Sequence, residues 1–132
     1  MPATEELAEP FSLSEYRWAQ RPLLIFAPDE GHDALRRMRG AVLASEEAFL
    51  DRDMVLVTAI GTRLGHASDR ELTVDDIQSL RLEYDVPVDQ LAALLIGKDG
   101  GVKRRETSFV SLTDIFEQID GMPMRQDEMR KQ

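Results

Sequence analysis

Cysteine is absent from all 132 residues. That absence excludes disulfide frameworks, thiolate metal sites, thiol redox chemistry and cysteine nucleophiles together. Histidine is nearly as scarce, with two copies, which leaves little for an imidazole-rich metal site. Apolar runs are short, well below the roughly 18 residues that span a bilayer, which excludes membrane insertion by a helix. Positive charge is outnumbered, 16 Lys and Arg against 25 Asp and Glu, for a formal net charge of -9. Such a surface repels nucleic acid and anionic membranes, which are bound mainly through clustered cations. The first ten residues are acidic, with two prolines, and lack the basic and apolar regions of a signal peptide. Length and composition predict a flexible acidic segment at 1–10, a single domain at 11–125 and a charged tail at 126–132.

What is present reads as alternating strands and helices. Leu23-Leu24-Ile25-Phe26-Ala27 is a continuous apolar run expected of a central strand. From 33 to 50, Leu35, Met38, Val42 and Phe49 mark one face of an amphipathic helix that Gly40 weakens. Met54 to Ile60 is β-branched-rich and reads as a second buried strand, whereas 61–72 reads as a loop. Thr73 with Asp76 forms a capping pattern before a helix marked by Val74, Ile77, Leu80 and Tyr84. Leu91 to Ile96 is a third strand, Asp99-Gly100 a hairpin signal with both positions suited to positive φ, and Val102 to Arg105 a charged edge strand. Ser111 with Asp114 opens the last helix, which Gly121 and Pro123 stop. The order βαβ then αββα predicts an α/β fold of the thioredoxin-like kind, a four-stranded mixed sheet with helices on both faces.

Three stretches carry a more specific likeness: Tyr16-Arg17-Trp18 with Arg21-Pro22 and the run to Pro28; Leu95-Ile96-Gly97-Lys98-Asp99-Gly100-Gly101-Val102-Lys103; and Ile119-Asp120 through Met122-Pro123-Met124-Arg125 to Glu128-Met129. On these residues the chain resembles the bacterial domain of unknown function 4174, a family with relatives in animal extracellular sushi-repeat proteins and in coiled-coil domain-containing protein 80. The resemblance implies a thioredoxin-like or peroxiredoxin-like fold without an established activity, and a periplasmic or secreted location. A redox-active thioredoxin holds Cys-x-x-Cys after the first strand; this chain has Pro28-Asp29-Glu30-Gly31-His32-Asp33 there. The proline usual before the third strand is replaced by Gln90-Leu91-Ala92-Ala93. The expectation is a redox-inactive module without a cofactor that binds a protein partner or a small ligand, with homodimerisation left open.

Several groups are candidates for chemistry. Asp29, Glu30, His32 and Asp33 follow the first strand, where open α/β sheets place their sites, and could hold a metal, act as a general base or simply cap a helix. His66, Ser68 and Asp69 have the letters of a hydrolase triad but crowd into one short segment. Gly97 with Gly100-Gly101 closes a hairpin and so is no phosphate loop. Lys98, Lys103, Arg104 and Arg105, with Arg125, form either an anion or partner patch or a charge-protected edge. Lys98, facing Asp120 or a helix end, would lock the turn. Met122, Met124 and Met129 could ligate Cu(I) or fill the gap beneath a terminal helix. Trp18, between Arg17 and Arg21, offers either a cation-π surface or packing against the sheet.

Overall fold

A computed structural model of the chain describes residues 10–131, so the proposed flexible segment lies almost wholly outside the described residues, as does Gln132. The order is β1 (Arg21–Ala27), α1 (Asp33–Ala44), α2 (Glu46–Asp51), β2 (Met54–Ile60), β3 (Leu64–Ala67), β4 (Arg70–Glu71), α3 (Val74–Tyr84), β5 (Ala92–Ile96), β6 (Val102–Glu106), α4 (Leu112–Asp120) and α5 (Pro123–Arg130). A short 3-10 turn at Leu13–Tyr16 precedes them. The sheet runs β4-β3-β2-β1-β5-β6, with β1 and β2 parallel and the other neighbours antiparallel.

The α/β class and the mixed sheet are as expected, but the sheet has six strands, not four. The two additional strands come from 61–72, the segment read as a loop. Gly65 makes this possible: a Cβ there would lie 2.7 Å from the Thr58 carbonyl oxygen and 3.1 Å from Ile77. Ser68 turns the hairpin in the left-handed region at φ 58°.

Alternation along β1 divides the core. Leu23, Ile25 and Ala27 face Leu35, Met38, Phe49, Ile115 and Ile119 from α1, α2 and α4. Leu24 and Phe26 face Ile77 and Leu80 of α3, with Phe11 and Leu13 completing that layer. Pro22 is tolerated in a central strand because β5 pairs only with Leu23 to Phe26, beyond it.

Three further details differ from the sequence reading. The helix expected over 33–50 is broken at Ser45, whose N–H reaches the carbonyls of Ala41 and Val42, and not at Gly40. The hairpin loop is Lys98-Asp99-Gly100, bounded by a 2.8 Å bond from the Gly97 N–H to the Gly101 carbonyl, and only Gly100 has a positive φ, 87°. Finally, the charged tail is helical through Arg130, because Pro123 occupies the first turn, where its missing N–H costs nothing.

Candidate functional site

α5 carries a single buried residue, and that residue is Arg125. The helix therefore docks through charge more than through an apolar stripe. Glu128, one turn on, accepts two hydrogen bonds from Arg21 at 3.0 and 3.1 Å and one from the Lys98 ammonium at 2.7 Å. Lys98 also donates to Asp53 at 2.8 Å, not to Asp120. Arg125 donates to Asp51 at 2.7 Å and to Asp120 at 3.1 Å, and Arg52 grips both Asp120 oxygens at 2.9 and 3.0 Å. Arg21 additionally donates to the Arg52 carbonyl at 2.8 Å.

Four cations (Arg21, Arg52, Lys98, Arg125) thus interleave with four carboxylates (Asp51, Asp53, Asp120, Glu128) at the beginning of β1 and β2. Burial opposes ionisation of Glu128, yet the bonds from Arg21 and Lys98 outweigh it and hold the carboxyl below its ordinary value. Burial is likewise outweighed at Asp120, which Arg52 and Arg125 lower, and at Arg125, which Asp51 and Asp120 raise.

A cleft of about 350 Å³ borders this network, lined by Arg21, Lys98, Lys103, Met122 and Met124 among others. Lys98 and Arg125 are buried and already paired with carboxylates, while Lys103 is paired with Asp99 at 2.8 Å. The basic residues of the hairpin therefore do not form one free cationic patch. Arg104 binds Glu106, and Arg105 donates to the Asp85 carbonyl at the end of α3. Met122 and Met124 share the cleft, with Met122 packed partly on the core. Trp18 stands exposed at φ 70°, its N–H bonded to the Lys98 carbonyl at 2.6 Å. Its side chain does not pack on the sheet; Phe11 and Leu13 do that instead.

The opposite end of β1 holds the other candidates. Asp29 accepts from the Gly31 N–H at 2.9 Å, the His32 ring accepts from the Ala34 N–H at 3.2 Å as the N-cap of α1, and Asp33 lies 3.9 Å from Arg37. These are turn and capping roles. Among the described residues no group of three or more His, Asp or Glu converges as a metal site. His66 sits on β3 opposite Thr58 and Glu71, while Ser68 and Asp69 make the hairpin turn.

Residues that sequence reasoning passed over are Asp51, Arg52, Asp53, Arg81 and, as functional groups, Arg21 and Glu128. Arg81 had a readable signal, since it lies four positions after Ile77 on the inward side of α3. Its guanidinium donates to the carbonyls of Pro87 (2.9 Å), Ala27 and Gly61 (3.1 Å each), and Ala59 and Val86 (3.4 Å each).

Five of the eight residues that build the first end, Arg21, Lys98, Asp120, Arg125 and Glu128, belong to the three distinctive sequence stretches. The chain belongs to the family described as domain of unknown function (DUF4174), which matches residues 12–128. It is 27% identical over 122 residues to the human sushi repeat-containing protein SRPX, covering 89% of this chain and 26% of that protein. It is also 27% identical over 133 residues to coiled-coil domain-containing protein 80 of Danio rerio, covering 89% of this chain and 15% of that one. The chain therefore spans about a quarter or less of the length of these relatives. Among solved structures it is similar to the reduced 2-Cys peroxiredoxin of Plasmodium vivax, with TM-score 0.66 and 17% identity over 87% of this chain and 72% of that one. A thiol:disulfide interchange protein from Bacteroides sp. gives TM-score 0.61 and 16% identity over 83% of this chain and 76% of that one. These likenesses establish a thioredoxin-like fold. Among the described residues no helix is long and apolar enough to cross a membrane.

Proposed function

We propose that this chain is a redox-inactive binding module whose docking face is the cleft at the start of β1. The observation that carries this reading is the convergence of the family-like stretches on one neutralised ion network beside that cleft. Eight paired charges fix the Lys98-Asp99-Gly100 loop, α5 and the beginning of β1 relative to one another, and a preorganised rim lowers the ordering cost of binding. Met122, Met124 and exposed Trp18 supply adaptable apolar and aromatic contact area for a protein partner or a small ligand. Zero cysteines leave no thiol for exchange, and Asp29 and His32, in the stretch where a thioredoxin carries its pair, are engaged in turn and capping bonds.

The test is insulin-disulfide reduction and peroxide consumption by the purified chain, run beside an amide NMR titration with divalent metals and Cu(I). No turnover is expected in either assay, and measurable turnover overturns the reading. Metal-induced shifts confined to Asp29 through Asp33 would transfer the function to a thiol-independent site there.

A further inference from the structure

Four cationic side chains are buried among the described residues: Arg21, Arg81, Lys98 and Arg125. Three of them face carboxylates. Arg81 faces carbonyl oxygens, and among the described residues no carboxylate forms an ion pair with it. Carbonyl dipoles satisfy its hydrogen bonds but leave a whole positive charge uncancelled in a low-dielectric setting. This one exception also opens onto a pocket. Thr62, Val74, Ile77, Gln78 and Val88 line that pocket of about 390 Å³ together with Arg81. It lies where β1 and β2 end, the side of an open α/β sheet where ligands usually bind.

We propose that this pocket binds a small apolar carboxylic acid, with Arg81 as the partner of the carboxylate. Val74, Ile77 and Val88 provide the surface for an aliphatic body, and Val74 and Val88 are exposed. Thr62 and Gln78, both uncharged, also line the pocket. All five N–H groups of Arg81 are engaged, but the acceptors at Gly61 and Pro87 belong to residues that are not buried, so a carboxylate that replaces these bonds leaves carbonyls that water can satisfy. The chain's net charge of -9 does not supply this counter-ion locally, since among the described residues no acidic side chain lines the pocket. The inference is independent of the cleft at the start of β1.

The test is an amide NMR titration of the whole chain with hexanoate, repeated with hexanol as an uncharged probe of the same body. Saturable hexanoate shifts at Thr62, Val74, Gln78 and Val88 are expected, with hexanol at least about tenfold weaker, the loss that one charge-assisted contact of about 1.4 kcal/mol represents. Because Arg81→Met removes a clamp on the fold, the informative variant is Gln78→Glu, at an exposed position. It leaves the clamp in place, sets a like charge against the carboxylate and is expected to weaken hexanoate about tenfold while sparing hexanol. Equal binding of both probes, absence of binding, shifts elsewhere on the molecule, or an unaffected Gln78→Glu variant would each overturn the proposal.

Discussion

At the start of β1, the Arg21 guanidinium donates to both Glu128 oxygens at 3.0 and 3.1 Å, and Lys98 shares Oε2. At the far end of the same strand, Arg81 lies against the Ala27 carbonyl at 3.1 Å with four more carbonyls around it. Both guanidinium groups are buried and both are hydrogen-bonded. They differ in what is cancelled. The first end cancels charge with charge, so each member depends on its partners, and removing one strands another. The second satisfies donors without cancelling charge, so it tolerates loss of the cation better and retains an attraction for an anion. The lesson is that hydrogen-bond satisfaction and charge neutrality are separate conditions on a buried ion.

The largest expected effect follows from breaking the first arrangement. Arg21→Met leaves Glu128 with Lys98 and a longer 3.9 Å ion pair to Arg125, leaves the Arg52 carbonyl without its donor, and is expected to cost about 3–5 kcal/mol in urea unfolding. Arg81→Met removes a charge without orphaning one. Its expected cost is about 1–3 kcal/mol, because the carbonyls of Ala27 and Pro87 keep a second donor, the N–H of Gly61 and of Gln90, and Gly61 and Pro87 are not buried. If the two variants unfold at the same urea concentration with equal slopes, the contrast between the two ends is wrong.

Much of the fold was legible because apolar burial writes directly into sequence. The runs in β1, β2 and β5 cover both faces of the sheet, and Thr73 with Asp76 forms the full reciprocal capping box. What escaped had other causes. β3 and β4 are short, and the turn between them uses Ser68 at positive φ, so no glycine or asparagine announced a hairpin. α5 lacked a visible apolar face because ions dock it, and Pro123, read as a stop, begins it. The site was only half legible for the same reason. Lys98 and Arg125 stand out as basic residues in an acidic chain, but their neutralisation by Asp53, Glu128, Asp51 and Asp120 depends on pairs separated by up to 74 positions. Long-range pairing of this kind leaves no periodic trace.

The subtlest test uses acid, because of the two buried guanidinium sites only the ionic one is paired with carboxylates among the described residues. Glu128 and Asp120 are held below their ordinary values in the folded state, so as pH falls the unfolded chain takes up protons first. Their contribution is fully present above the unfolded carboxylate range and is lost as pH drops through the folded values. Glu128→Gln keeps the volume and one acceptor for Arg21 but removes the titrating group. The variant should be less stable at neutral pH, and its unfolding free energy should decline less steeply between neutral and acid pH than that of the parent chain. Arg81→Met should keep the parent's acid slope, since among the described residues no carboxylate is paired with Arg81. Urea titrations at a series of pH values separate the two. A parent slope in Glu128→Gln would mean that the network does not store its stability in Glu128, and a flattened slope in Arg81→Met would mean that the carbonyl-bound guanidinium is electrostatically coupled to carboxylates after all.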